Sequence, residues 1–135
     1  MTAGNPFLQA SRLMQHCLVI EDSSIIRRVA RSIFESLTYR VSEAQTAAET
    51  LEHIALDAPD LIVIDWIIPG TNVHDLITAI RRTKTAKRPF ILYLTTENDE
   101  ADLKLAFRAG ADDYLLKPFN REIIEMKLTE IRVAA

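Results

Sequence analysis

Cysteine, basic charge and long apolar runs are scarce in this chain of 135 residues, and each scarcity excludes a class of protein. Cys17 is the only cysteine, so there is no disulfide framework and no CxxC metal or redox motif. No stretch approaches the ~18 apolar residues that a membrane span needs, and the N-terminus lacks the charged-then-apolar pattern of a signal peptide. We therefore expect a soluble protein of the reducing cytoplasm.

The charge and composition are those of an ordinary globular domain. The net charge is -3 with Lys and Arg scattered along the chain, which leaves no basic footprint for nucleic acid. Apolar residues make up 48% and charged residues 26%, and the length suits one domain with a real core. The three histidines, His16, His53 and His74, have no spacing that indicates a metal site.

The period of the apolar residues switches repeatedly between that of a strand and that of a helix. Five short apolar runs predict buried strands, at 17–22, 39–44, 60–66, 89–95 and 113–118. Five longer periodic segments predict helices, at 23–37, 46–56, 73–83, 98–110 and 120–133. This alternation predicts a doubly wound parallel sheet covered by helices on both faces, with the working site outside the carboxyl ends of the strands.

Two local expectations accompany this pattern. Residues 1–14 are interpreted as an N-terminal extension outside the fold, with translation from Met14 as the alternative explanation, so that the domain occupies 15–135. The first helix, capped by Ser23 or Ser24, is expected to bury a stripe of apolar residues: Ile26, Val29, Ala30, Ile33 and Leu37.

Four of the five predicted strands finish on a reactive or polar group: Glu21 with Asp22, then Asp65, Thr95 and Lys117. Each has an ordinary explanation when taken alone, as a helix start, a loop hydroxyl or a solvated lysine. In a parallel sheet, however, the carboxyl ends of the strands share one edge, so these side chains are expected to converge there.

A cluster of this kind has definite chemistry. Two carboxylates ~4 Å apart repel by about 4 kcal/mol at an effective dielectric near 20, so the group must protonate, separate or hold a cation. Oxygen ligands without Cys or His favour Mg2+, which binds one or two carboxylates together with water and phosphate oxygens. Lys117 adds a positive charge for a phosphate-like anion, and an aspartate beside Mg2+ and lysine is a credible phosphoryl acceptor.

Four stretches carry a resemblance to a known family: "VIEDSSIIRRVARSI", "LIVIDWIIPG", "ILYLTT" and "AGADDYLLKPF". In their order and spacing they resemble the receiver domain of two-component response regulators, from about Gln15 to the C-terminus. The resemblance implies an α/β, flavodoxin-like, three-layer sandwich with five helices and strand order 2-1-3-4-5. The first helix is closer to that of chemotaxis regulators.

The resemblance also implies roles for individual residues. Asp65 matches the phosphoacceptor, supplied by a histidine kinase or a histidine phosphotransfer protein. Glu21, Asp22 and Asp65, with the backbone oxygen of Ile67, match the ligands of Mg2+ or Mn2+. The remaining matches are Lys117 and Thr95 as phosphoryl-binding residues, Thr95 and Tyr114 as the switch pair, and Pro118 after a cis peptide bond.

Some positions depart from the family pattern. Val73 and Ala47 stand where receivers commonly have glycine, and a β-branched residue rarely adopts positive φ. We therefore expect a reshaped loop between Pro69 and His74 or an earlier helix start, with Gly70 taking part of the glycine's role. Ile67 and Glu97 are expected to flank the acceptor, where an apolar side chain hinders water and a carboxylate repels or orients it.

Two surfaces are candidates for partner binding. Arg27, Arg28 and Arg31 are predicted to form a kinase-docking rim on the first helix, or else a solvated basic face. Leu103 and Phe107, with Tyr114, are predicted to form a patch that changes on phosphorylation, or else to belong mainly to the core.

Taken together, these features predict a stand-alone receiver that signals by protein contact, because no output domain follows the receiver segment. Such a protein is not an enzyme in the usual sense, since it catalyses only its own phosphorylation and dephosphorylation. It is expected to be a monomer or a weak phosphorylation-dependent dimer. The alternatives are a degenerate receiver that binds partners without phosphorylation and a dehalogenase-type phosphohydrolase, which Ile67 disfavours because that class needs a second aspartate there.

Overall fold

The structure, a computed structural model, describes residues 14–96 and 98–134. Within them five strands alternate with five helices, as predicted, and each boundary lies within two residues of its predicted place. The strands are β1 (His16–Ile20), β2 (Arg40–Ala44), β3 (Leu61–Asp65), β4 (Phe90–Thr95) and β5 (Asp113–Leu116). The helices are α1 (Ser24–Ser36), α2 (Ala47–Leu56), α3 (Val73–Arg82), α4 (Glu100–Ala109) and α5 (Arg121–Ala134). The predicted extension lies outside the described residues except for Met14.

The five strands form one parallel sheet in the order β2-β1-β3-β4-β5, which confirms the implied topology. The register brings the strand ends together, because Ile20 pairs with Ile64, Asp65 with Leu94, and Thr95 with Leu116. The residues that end or follow the three central strands and β5 therefore share one edge of the sheet.

The sheet has an apolar core on each face because successive side chains of a strand point to opposite sides. Along β1, Leu18 and Ile20 belong to the core under α2, α3 and α4, whereas Cys17 and Val19 belong to the core under α1 and α5. This confirms the three-layer sandwich. No helix in the described part of the chain is both long and apolar enough to cross a membrane.

Helix α1 begins as predicted, and Ala30, Ile33 and Leu37 of the predicted stripe pack in or against the core, but the stripe differs from the prediction at Val29 and Phe34. Ser23 is its N-cap, and the Ser23 hydroxyl accepts a hydrogen bond from the backbone N–H of Ile26. The buried residues are Ala30 and Phe34, whereas Val29 is 46% exposed, so the prediction for Val29 was wrong. The contact line of α1 with the sheet passes through Phe34, four residues after Ala30, and this leaves Val29 on the rim.

The loop before α3 accommodates valine without strain. Gly70 takes the positive φ, +71°, and Val73 is the buried first residue of α3, which Asn72 caps through its side chain. Ala47 is likewise the first residue of α2 and has no positive φ. The expected role of Gly70 is therefore confirmed.

His16, the first residue of β1, provides a pH-dependent stability term. Its ring is buried, Nε2 lies 2.7 Å from the Ser42 hydroxyl, and the backbone N–H donates to Asp60 at 2.7 Å. Burial, and then the nearby charge of Arg40, lower the pKa of His16 although Asp57 and Asp60 oppose this. Because the unfolded chain then binds more protons, stability is complete above pH ~6.5 and falls as the pH drops toward the folded-state pKa.

We expect urea denaturation between pH 7.5 and 5.5 to show this loss, and His16→Gln to remove it. The wild-type chain, measured over the same pH range, is the reference for the slope of stability against pH. An unchanged slope in His16→Gln would contradict the assignment.

Candidate functional site

Three charged side chains meet where the central strands end. Asp65 is the last residue of β3, Glu21 directly follows β1, and Lys117 directly follows β5. Both carboxylates are buried, Asp65 to 5% exposure and Glu21 to 3%. The Lys117 ammonium forms an ion pair with Asp65 Oδ1 and lies 3.1 Å from Glu21 Oε2. One cation is thus shared by two buried carboxylates.

This sharing determines the charge of the lysine. Burial alone would lower the pKa of Lys117, but its contacts with Asp65 and then Glu21 outweigh burial and hold the pKa above its usual value. Lys117 is therefore a permanent ammonium at neutral pH. The site holds two negative charges against one positive charge before the exposed carboxylate of Asp22 is counted.

The donor set suits a hard divalent cation more than a structural metal. In the ranges 14–96 and 98–134, no group of three His, Cys, Asp or Glu side chains forms a ready-made metal cluster. Lys117 contacts both Glu21 and Asp65, and Asp22 is exposed. Mg2+ does not need a site made entirely of protein side chains, because it keeps several waters and binds only one or two carboxylates. Among the described residues, Lys117 is the ion-pair partner of the buried Asp65 Oδ1, although without hydrogen-bond geometry, and this oxygen keeps lone pairs that suit a cation.

The loop that carries the acid pair is fixed by several ties. The backbone N–H of Glu21 donates to the Ala44 carbonyl at 3.2 Å, and Glu21 Oε1 accepts from the Ser23 N–H at 3.1 Å. The guanidinium of Arg27 donates to the carbonyl oxygens of Glu21 at 2.8 Å and Asp22 at 3.3 Å.

The structure therefore corrects the prediction of an arginine rim on α1. The Arg27 side chain is only 11% exposed, because it turns toward the acid loop and Glu43. Arg31 also pairs with Glu43 and donates to the Val41 carbonyl at 3.0 Å, so it is half-exposed. Only Arg28 of the three is fully on the surface.

The predicted switch residues lie on β4 and β5. Thr95 ends β4, is buried, and accepts a hydrogen bond on its carbonyl from the Lys117 N–H at 2.8 Å. Tyr114 is half-buried and packs edge-on against Phe107, with 6.3 Å between the ring centroids. Phe107 is 41% exposed, but Leu103 is buried in the core, so Leu103 does not belong to a surface patch.

A groove beside Lys117 was not predicted from the sequence. It has a volume of about 370 Å³ and lies between α1 and the segment after β5, where the peptide bond from Lys117 to Pro118 is cis. Its apolar walls include Ile25, Val29 and Phe119, of which Ile25 is 75% exposed. The available signal was Ile25 itself, an isoleucine outside the predicted core stripe and four residues before Val29.

Two further residues flank Asp65. Ile67, two residues after Asp65, is 54% exposed. Trp66 is half-buried, and its backbone N–H donates to the Leu94 carbonyl at 2.9 Å. Glu97 lies outside the described residues.

Comparison with known proteins agrees with this geometry. Residues 17–129 match the sequence model of the response regulator receiver domain. The chemotaxis protein CheY1 of Helicobacter pylori is 34% identical over 113 residues, which cover 82% of this chain and 91% of CheY1. The structure of CheY4 of Vibrio cholerae has a TM-score of 0.82 at 28% identity and covers 87% of this chain and 98% of that one.

A third relative holds a metal. The receiver domain of the sensor histidine kinase PA1611 of Pseudomonas aeruginosa has a TM-score of 0.77 at 26% identity, covering 87% of this chain and 96% of its own, and contains a magnesium ion in its active site cleft. Because residues 17–129 match the family model and CheY1 is 34% identical over 113 residues, the chain belongs to the response regulator receiver domain family.

Proposed function

We propose that this receiver accepts a phosphoryl group on Asp65 from a phosphohistidine of a histidine kinase or phosphotransfer protein. The observation that carries the proposal is the shared contact of Lys117 with Asp65 and Glu21 at the end of the central strands. This contact holds a nucleophilic carboxylate at a rigid edge with an ammonium already beside it. Family membership supports the reaction class.

The reaction is a displacement at phosphorus. A carboxylate oxygen of Asp65 attacks phosphorus, a P–O bond forms, and the P–N bond to the donor imidazole breaks, so that the imidazole leaves and takes a proton. Lys117 remains charged throughout and balances the negative charge on the phosphoryl oxygens. The Asp65–Lys117 ion pair supports this role because the ammonium is in place before the donor arrives.

Glu21, Asp22 and Asp65, with the backbone oxygen of Ile67, would hold Mg2+ or Mn2+ at this edge. Bound there, the cation supplies Lewis-acid stabilisation of the phosphoryl oxygens. The all-oxygen donor set and the buried Asp65 Oδ1 support this assignment, as does the magnesium in the cleft of the PA1611 receiver.

Thr95 and Tyr114 are proposed to report the phosphoryl group to the surface. Thr95 is the buried end of β4 next to the Lys117 backbone, and the ring of Tyr114 contacts the exposed Phe107. A shift of Thr95 toward the phosphoryl oxygens would change the space available to Tyr114 and hence the surface around Phe107. The output would then be a change in protein contacts there.

The phosphodonor is proposed to dock at the groove beside Lys117. Its apolar walls, Ile25, Val29 and Phe119, can cover a partner helix next to the acceptor. A partner seated there would exclude water from Asp65 during transfer.

The direct test is the intact mass of the chain after incubation with acetyl phosphate. We expect a gain of one phosphoryl group that depends on Mg2+, is absent in Asp65→Asn and is reversed by hydroxylamine, which cleaves acyl phosphates. Asp99→Asn, an acid outside the site at the N-cap of α4, is the matched control and should be phosphorylated normally. No gain with acetyl phosphate or with a phosphorylated histidine phosphotransfer domain would favour the phosphorylation-independent binding module.

A further inference from the structure

Arg27 is a nearly buried arginine whose guanidinium contacts the backbone of the acid pair. Its Nη1 donates to the carbonyl oxygens of two successive residues, Glu21 at 2.8 Å and Asp22 at 3.3 Å. Its Nε donates to Glu43 Oε1 at 2.8 Å. The donors of one planar group thus connect α1, β2 and the loop after β1.

The charge of Arg27 is balanced by Glu43. Burial alone would raise the pKa of Glu43, but hydrogen bonds from Arg31 and Arg27 outweigh burial and hold the pKa below its usual value. Glu43 is therefore ionised at neutral pH and, together with Glu35, which also pairs with Arg31, offsets the charges of the two guanidinium groups. The net electrostatic effect of Arg27 on a nearby cation is accordingly small, and its geometric effect on the loop is the larger one.

The ties of Arg27 complete those already described for this loop. The N–H of Glu21 bonds to Ala44, and the N–H of Ser23 bonds to the Glu21 side chain. Neither of these bonds involves the carbonyl of Glu21 or Asp22. Arg27 holds both carbonyls, and with them the peptide unit between the two acids, so the directions in which the side chains of Glu21 and Asp22 leave the backbone are set.

We propose that Arg27 is a positioning residue that fixes the Glu21–Asp22 loop for a divalent cation and so sets the affinity of the site for Mg2+. The proposal rests on the proposed function, because it assumes that these acids hold the cation. It assigns Arg27 a role inside the site, whereas its neighbour Arg28 remains on the surface.

The test compares Arg27→Met with Arg31→Met in the full chain. Both substitutions remove an arginine that binds Glu43, but only Arg27 contacts the carbonyls of the acid loop. MgCl2 is titrated at constant ionic strength while the emission of Trp66, the only tryptophan, is followed. The rise of the thermal midpoint with Mg2+ concentration is an independent readout.

We expect Arg27→Met to raise the Kd for Mg2+ about tenfold, the lower end of the effect of losing a residue that orients a metal ligand. Arg31→Met should stay within about twofold of the wild type, even if both variants lose similar stability without Mg2+. Arg27→Lys keeps the charge but lacks the fork, so its Kd should lie between those of Arg27→Met and the wild type.

Three results would overturn the proposal, and they differ in what else they affect. Equal Mg2+ affinities for Arg27→Met and Arg31→Met would leave the phosphoacceptor function intact and remove the positioning role. A wild-type affinity in Arg27→Lys would mean that charge, not the forked contact, matters. A wild-type chain that responds to Mg2+ in neither readout would overturn the metal site and the role of Arg27 together.

Discussion

Replacing Lys117 by methionine is expected to lower the free energy of unfolding at pH 7 by about 3 kcal/mol and to slow phosphorylation about 100-fold. The ammonium is shared by two carboxylates that are nearly buried, Glu21 and Asp65. Removing one partner of a buried ion pair leaves uncompensated charge, which typically costs 3–5 kcal/mol. The loss of rate follows because a preorganised donor to the phosphoryl oxygens is worth about 10²–10³ in catalysis.

The same substitution should increase the stabilisation that Mg2+ gives to the folded chain. Without Lys117, a divalent cation is the remaining counter-charge for Glu21 and Asp65, so Mg2+ should stabilise Lys117→Met more than it stabilises the wild type. Urea denaturation at pH 7, with and without MgCl2, measures this effect.

Asp65→Asn is the informative control for this prediction. It removes one of two negative charges and leaves Lys117 paired with Glu21, so its unfolding free energy should stay within about 1 kcal/mol of the wild type or rise. Yet it should abolish phosphorylation completely. If both variants lose the same stability, the shared-cation description of the site is wrong.

The strand ends could be predicted from the sequence because a parallel sheet places them by topology alone. Asp65 is a carboxylate at the end of a continuous apolar run, and the strand order alone is enough to predict that it lies beside Lys117. The conformation of the loop before Val73, which stands where receivers commonly have glycine, was also predictable in part. Gly70 is the nearest residue that can take a positive φ, and it does so.

The orientation of α1 could not be predicted in the same way. Helical spacing gives the angle between side chains but not which line along the helix contacts the sheet. Val29 therefore appeared to be core, although Phe34 is buried and Val29 is exposed. Arg27 appeared to be surface because its partners, Glu43 and the acid-loop carbonyls, belong to other segments of the chain. Whether a long arginine side chain is buried or exposed depends on such tertiary contacts.

Asp112→Ala is expected to lower the free energy of unfolding by about 3 kcal/mol, or the thermal midpoint by about 10 °C, without affecting phosphorylation. Asp112 Oδ2 accepts from Arg81 Nη2 at 2.6 Å and from the Ile91 N–H at 2.8 Å. Arg81 is mostly buried, and burial lowers its pKa although Asp112 opposes this. Asp112→Ala therefore leaves the buried guanidinium of Arg81 without this carboxylate partner. It also removes the acceptor for a backbone N–H of the central strand β4.

Thermal melting and urea denaturation measure this loss, and the neighbouring acid supplies the control. Asp113 pairs with Lys127 at 3.1 Å at a more exposed position, so Asp113→Ala should cost less than about 1 kcal/mol. Asp112→Asn keeps an acceptor oxygen but no charge, so its loss of stability should lie between those of the two alanine variants.

Because Asp112 precedes β5, it lies at the edge of the sheet opposite Asp65, so Mg2+-dependent phosphorylation of the folded variants should equal that of the wild type. A loss of phosphorylation in folded Asp112→Ala would mean that the two edges are coupled, whereas equal losses of stability in both alanine variants would mean that burial of Arg81 is not what makes Asp112 important.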